Sequence, residues 1–216
     1  MSVLQAYDTD SCWRCAASRS TALMCGDCGA PQPVAPDADL FTILGLPRRL
    51  SVDPAALEAA WYEASRLVHP DRHQMASSRA RDLSLEASSM LNRAYRTLRD
   101  PVARGRYWLE LHGRSIAGRN GHLPPALAAE VFETQEKLEA LAAAPRDPTL
   151  RREVAAIRGE LAERIGARVA QLRERYARWD ADDATAPAVL DELRERLAEI
   201  AYLRTLAEDV DEALGG

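Results

Sequence analysis

Apolar side chains recur along most of the chain at helical spacing. Leu57, Trp61, Ala64 and Val68 fall at i, i+4, i+7 and i+11, which is one face of a helix. Asp53-Pro54 opens it, since Asp caps a helix N-terminus well and Pro fits the first helical position. Pro70 closes it, because the residue before a proline is biased away from the helical region. A second stripe, Leu83, Ala87, Met90, Leu91, Ala94 and Leu98, predicts a partner helix of similar length. The two form an antiparallel hairpin with a loop of about eleven to thirteen residues. Phe41, Leu44 and Leu46 of a short leading helix are expected to top its core. Asp100-Pro101 starts one more short helix, and His112-Gly113 stops it with glycine in the usual C-terminal position.

Three longer stripes follow. Leu127, Val131, Thr134, Leu138 and Leu141 predict a helix over 124–143. Asp147-Pro148 opens a second, with Leu150, Val154, Ile157, Leu161, Ile165, Leu172, Tyr176 and Trp179 on its inner side. Thr185–Pro187 opens a third, with Leu190, Leu193, Leu197, Ile200, Leu203, Leu206 and Val210. Short connections make such helices antiparallel neighbours, hence a three-helix bundle. Val, Ile, Thr and aromatic residues nowhere alternate as a strand requires. The expected fold is all-α: a helical hairpin domain over 37–113 and a bundle over 124–213. Residues 1–36 form a small segment that holds all four cysteines and ends in the Pro-rich linker APQPVAP.

Composition changes this picture little. Hydrophobic residues at 47% and charged residues at 28% are ordinary for a globular chain. No apolar run approaches the length of a membrane span. The start MSVLQAYDTD has neither a signal-peptide nor a transit-peptide pattern, so a cytoplasmic protein is expected. Charge is more informative. Residues 37–113 carry 11 basic and 10 acidic side chains, whereas 124–216 carry 13 basic and 20 acidic. An acidic C-terminal half argues against nucleic acid as a partner.

Cys12, Cys15, Cys25 and Cys28 form a C-x2-C-x9-C-x2-C array. Two such knuckles present four thiolates tetrahedrally to one Zn²⁺. Gly26 and Gly29 are expected to allow the tight turns. Two disulfides, or one redox C-x-x-C, are the alternatives. The first is rare in a reducing cytosol, and the second needs a βαβ setting that is missing. Iron is the competing metal, since four thiolates also suit it. With all four positions filled by protein, the site is structural.

LVHPDRH at 67–73 crowds His69, Asp71 and His73 into one turn. As H-x-D-x-H it offers metal ligands, but catalytic sites recruit further His or carboxylate ligands, and only His112 and His122 remain. No phosphate loop, nucleophile elbow or H-E-x-x-H motif occurs, so no enzyme is expected. The plainest reading is a polar turn at a helix C-terminus, where a histidine favours the helix dipole and an aspartate takes local hydrogen bonds. His73 reads as a solvated loop residue.

His-Pro-Asp in a helical hairpin, followed by MLNRAYRTLRDP at 90–101, resembles the J-domain. With DLFTILGLP at 39–47, LNRAYRTLRDPVARGRYWLELHG at 91–113 and the acidic bundle, the chain resembles the HscB-type co-chaperones of iron–sulfur cluster assembly over about 37–213. The tetracysteine segment is similar to the zinc-binding extension of some members. The resemblance implies stimulation of a DnaK/HscA-type chaperone ATPase through His69, Pro70 and Asp71, with Arg66 and Arg72 as the nearby cations. Glu58 and Glu63 dilute the positive charge usual on that helix.

The first bundle helix carries a second face, with Ala129, Phe132, Glu133, Glu136 and Ala140 opposite its core stripe. An aromatic among carboxylates suits a partner site, since apolar anchors with polar rims recur at interfaces. An isolated exposed aromatic is the plainer alternative. The resemblance makes this face, with Tyr202, the contact for an IscU-type scaffold protein. Ala128 and Ala129 stand where the family has larger side chains, which implies a smaller patch. A general J-domain co-chaperone presenting unfolded clients is the alternative, and a long exposed apolar groove in the bundle would favour it.

Overall fold

A computed structural model describes residues 11–18, 23–35, 37–115 and 125–215, with side chains of the bundle from Val131 onward. His122 and the side chains of Leu127, Ala128 and Ala129 lie outside the described residues. Among the described residues, seven α-helices and one 3-10 turn follow in order: α1 (Leu40–Ile43), α2 (Pro54–Val68), the 3-10 turn (Pro70–His73), α3 (Ser78–Arg99), α4 (Pro101–Leu111), α5 (Pro125–Ala143), α6 (Pro148–Ala181) and α7 (Pro187–Leu214). Among the described residues there is no strand beyond two isolated bridges, Ser11 with Ser18 and Met24 with Pro31. No described helix is long and apolar enough to cross a membrane.

The helix starts follow from side-chain chemistry. Asp53 accepts the Ala55 N–H at 3.0 Å, Asp100 those of Val102 and Ala103 at 2.7 and 3.0 Å, and Asp147 that of Thr149 at 2.7 Å. Each is followed by proline, whose missing N–H costs nothing at that position. Such caps contribute about 1 kcal/mol each. The LGLP and LHG motifs are helix stops of one kind. Gly45 and Gly113 take positive φ of 65° and 66°. In the first, the Gly45 and Leu46 N–H groups bond the Thr42 and Phe41 carbonyls; in the second, those of Gly113 and Arg114 bond Glu110 and Leu109. This pairing of two N–H groups with the last free carbonyls is the Schellman arrangement.

The chain divides into two compact units at Ala103 and Arg104, a boundary that falls inside α4. In the first unit α1 and α2 both pack on α3. The core contains Phe41, Ile43, Leu44, Leu50, Leu57, Val68, Leu83, Ala87, Leu91, Ala94 and Leu98. Leu46, expected in it, is only half-buried, because the glycine before it turns the chain out of the helix. The loop between α2 and α3 is also shorter than the expected eleven to thirteen residues: it covers 69–77, and the 3-10 turn takes up almost half of it.

In the second unit α5, α6 and α7 form the three-helix bundle. Leu138, Leu141, Val154, Leu161, Leu203, Leu206 and Val210 make one buried cluster, and Val131, Ile157, Ile165 and Tyr202 pack against it. Leu172, Tyr176, Trp179, Leu190, Leu193, Leu197 and Ile200 are buried too. The later part of α4 joins this unit. The Trp108 indole N–H donates to the Ala184 carbonyl at 2.9 Å, and Arg114 pairs with Asp191 at 3.0 Å. Gly105 lies so close to Tyr176, Leu193 and Leu197 that a Cβ there would meet all three side chains.

Candidate functional site

The His-Pro-Asp turn is exposed at its tip and tied down at its base. A helix leaves its last carbonyls without intrahelical donors, and α2 has a side-chain donor for each of its last three. Arg72 Nη1 donates to the Arg66 carbonyl at 3.2 Å. The His73 ring Nε2 stands 3.3 Å from the Leu67 carbonyl. Ser84 and Ser88 on α3 donate to the Val68 carbonyl at 2.6 and 3.1 Å. His73 is therefore half-buried and holds the turn to α2, contrary to its expected role as a solvated loop residue. On the far side, Arg81 Nη1 bonds the Gln74 and Ala76 carbonyls at 3.3 and 3.1 Å.

Within the tip, Pro70 occupies the first position of the 3-10 turn and His69 caps it. The Asp71 N–H donates to His69 Nδ1 at 3.2 Å. Asp71 Oδ2 stands 3.5 Å from the same nitrogen. Gln74 donates to Asp71 Oδ1 at 3.0 Å. Both tip side chains remain accessible, at 57% for His69 and 72% for Asp71. Arg66 is exposed and lies 5.9 Å from the centre of the Tyr62 ring.

The four cysteines come together at one place. Their Sγ atoms all lie within 4.8 Å of one another, a group able to hold a metal ion. Cys12 to Cys28 and Cys15 to Cys25 are each 3.7 Å apart. A disulfide needs about 2.0 Å, whereas a tetrahedron with metal–sulfur bonds of about 2.3 Å has edges of about 3.8 Å. The sulfur spacing therefore fits a tetrahedral metal and not the disulfide alternative.

Both knuckles use one backbone turn. The Ala16 N–H bonds the Cys12 carbonyl at 2.9 Å and the Gly29 N–H bonds that of Cys25 at 3.0 Å. The residue after each second cysteine is left-handed, with φ of 57° at Ala16 and 63° at Gly29. Gly26, the other glycine expected to serve the turn, has no positive φ. What that position needs is compactness at most, whereas the conformational demand falls three residues later.

The thiols resist ionising together. Burial opposes ionisation of Cys12, yet the Cys15 and Arg14 N–H groups and the Cys25 and Cys15 thiols outweigh it and hold Cys12 at about 6. The Ala17 N–H favours a Cys15 thiolate, but the Cys28 thiol, burial and the remaining cysteines push Cys15 up to about 12. Cys28 is raised too: the Ala30 N–H favours its thiolate, and burial with Cys12 and Cys25 overrides that. Cys12 carries charge readily whereas Cys15 and Cys28 do not; a dication among them removes that conflict.

On α5, Phe132 stands 66% exposed with Glu133 and Glu136 exposed beside it in sequence. Thr134, Leu138 and Leu141 are buried on the other side. Tyr202 on α7 is half-buried against the bundle core. Among the described residues Phe132 is the large exposed apolar side chain of the second unit. Sequence reasoning passed over Ser84, Ser88 and Gln32. The serines sit at i, i+4 inside the apolar stripe of α3, a signal that something polar is buried there. Gln32, the single polar residue in APQPVAP, is buried against the cysteines.

No family model matches the chain. The "Co-chaperone protein HscB homolog" of Bordetella pertussis is 39% identical over 124 residues, which are 57% of this chain and 69% of that protein. The human "Iron-sulfur cluster co-chaperone protein HscB" is 35% identical over 132 residues, 59% of this chain and 56% of that one. The crystal structure of human co-chaperone protein HscB matches with a TM-score of 0.70 at 26% identity, covering 94% of this chain and 97% of that one. The HscB chaperone of Vibrio cholerae matches with a TM-score of 0.55 at 25% identity, over 82% and 99%.

Proposed function

This chain belongs to the HscB family of co-chaperones, and from that premise we propose that it activates a DnaK/HscA-type chaperone ATPase in the cytoplasm and brings it an IscU-type iron–sulfur scaffold. Residues 37–113 serve as the J-domain, residues 124–213 hold the scaffold, and residues 1–36 form a zinc module. The observation that carries the reading is the His69-Pro70-Asp71 tip. The His69 and Asp71 side chains are exposed, while His73 ties the turn to α2 and Arg81 of α3 holds the residues that follow it.

Each residue of the tip has a physical task. Pro70 fixes the backbone at the first position of the turn. The Asp71 carboxylate meets a cation of the chaperone in a charge-assisted hydrogen bond. His69 holds the Asp71 backbone through Nδ1 and leaves the rest of its ring exposed. Arg66 and Arg72 add positive charge for an acidic chaperone surface. The chain positions two partners and hydrolyses nothing itself.

The scaffold docks on Phe132, with Glu133 and Glu136 as its polar rim and Tyr202 contributing from α7. Among the described residues of the bundle Phe132 is the large exposed apolar side chain, which supports one folded partner over unfolded clients. Holding scaffold and chaperone on one chain raises the concentration of each at the other. Zn²⁺ at Cys12, Cys15, Cys25 and Cys28 supplies a structural cross-link, with no open position for chemistry.

The test is His69→Gln in the full chain. ATPase stimulation of the chaperone is expected to vanish, while helical circular dichroism and scaffold binding are unchanged. Stimulation at the level of the unsubstituted protein rejects the J-domain assignment.

A further inference from the structure

Beside the cysteines lies an amide with no evident reason to be there. Gln32 is 0% exposed. Its Nε2 is 2.8 Å from the Ala30 carbonyl, 3.3 Å from the Pro31 carbonyl and 3.3 Å from Cys12 Sγ. All three neighbours accept hydrogen bonds, so the amide is oriented with nitrogen toward them. Its oxygen is then buried without any partner. An apolar side chain of similar size leaves nothing unpaired, so the amide needs a compensating contact that such a side chain cannot make.

The two carbonyls are shared with other donors. That of Ala30 already accepts the Cys25 N–H at 2.9 Å, and that of Pro31 already accepts the Trp13 indole N–H at 2.6 Å. The remaining acceptor is the Cys12 sulfur, which takes the Gln32 amide alongside backbone N–H groups. An N–H···S contact at 3.3 Å is short for an atom as large as sulfur, and hydrogen bonds to an ionised acceptor are about twice as strong as neutral ones. The Arg14 N–H reaches the same sulfur at 3.4 Å.

We propose that Gln32 is a positioning residue of the metal site, donating a buried N–H to the Cys12 thiolate and withdrawing charge from it in the metal-bound state. This rests on the reading of the four cysteines as a metal site. Four thiolates around a dication leave an excess of two negative charges in a cluster where Cys12 and Cys25 are buried. Donors aimed at a sulfur lower the cost of that excess, as outer-shell partners do at other metal sites.

The test uses the full chain loaded with Co²⁺, read by its thiolate-to-metal charge-transfer absorption, and Zn²⁺ affinity from competition with a chelator. Gln32→Leu keeps the size and removes the donor. Its charge-transfer band is expected at lower energy, since a thiolate stripped of a hydrogen bond gives up an electron more easily. Its Zn²⁺ affinity is expected to fall about 10- to 100-fold. Gln32→Glu puts a carboxylate beside the sulfur and is expected to bind more weakly than Gln32→Leu. If Gln32→Leu shows the parent band position and affinity, Gln32 is a packing residue and the inference fails. If Gln32→Glu binds as well as the parent, the donor role likewise fails. If the parent chain gives no charge-transfer band with Co²⁺, the metal site itself is rejected, a result distinct from the other two.

Discussion

Ala16→Gly and Gly29→Ala exchange residues at the same position of two equivalent turns, and they are expected to shift metal affinity in opposite directions. Ala16 has φ 57° and Gly29 has φ 63°. The left-handed region costs a residue with a Cβ about 1–2 kcal/mol, because the Cβ crowds the following carbonyl. Glycine escapes that cost but frees the unfolded chain, which returns about 0.4–1 kcal/mol to the unfolded state. The balance is about 0.5–1 kcal/mol in favour of glycine at such a position. A Cβ added at Gly29 meets no atom within 4 Å, so that variant probes the backbone alone. Metal binding folds a knuckle, so this balance appears as affinity. Ala16→Gly is expected to bind Zn²⁺ about two- to five-fold more tightly, and Gly29→Ala more weakly by a similar factor. Chelator competition at fixed pH measures both. Equal affinities for the two variants, or a change of the same sign, would refute the argument that the left-handed turn limits the site.

Three other outcomes are open to measurement. Phe132→Ala is expected to weaken scaffold binding by about 1–3 kcal/mol in calorimetry, with thermal stability nearly unchanged because the ring is exposed. Gly105→Ala is expected to cost about 1–3 kcal/mol of stability in denaturant unfolding, as overpacking does, since its Cβ meets Tyr176, Leu193 and Leu197. Glu192 has its pKa lowered: burial alone would raise it, but Arg196 and Arg175 outweigh burial, with a further bond from Trp179. A depressed carboxyl contributes stability above its unfolded pKa, and the contribution is lost as pH falls through the folded value. Glu192→Gln is therefore expected to be less stable than the parent at pH 7, with the gap closing in acid below about pH 4; a gap that persists in acid assigns the effect to packing.

Much of the architecture was legible because it depends on near neighbours along the chain. Apolar residues at i, i+3 and i+4 place themselves on one side of a helix whatever surrounds it. The stripe of α7, from Leu190 to Val210, is buried throughout as its spacing predicts. Asp-Pro at 53, 100 and 147 starts three helices because cap and first turn lie within four residues. The two cysteine pairs were recognisable for a similar reason, since one short turn sets each pair. The His-Pro-Asp tip was recognisable as a motif, although its anchorage was not.

Distant approach was decided only in three dimensions. That His73 holds the Leu67 carbonyl, and that Ser84 reaches Val68 across the hairpin, depends on how α2 and α3 are docked. A serine in an apolar stripe looks like a flaw until a helix end without donors lies opposite. Gln32 reads as linker by composition, and only folding brings it to a sulfur twenty residues earlier. Local sequence determined where each helix begins, turns and stops, since those events are governed by torsions and hydrogen bonds a few residues apart. Tertiary structure decided which leftover donors and acceptors meet, because satisfying buried polar groups depends on the whole packing around them.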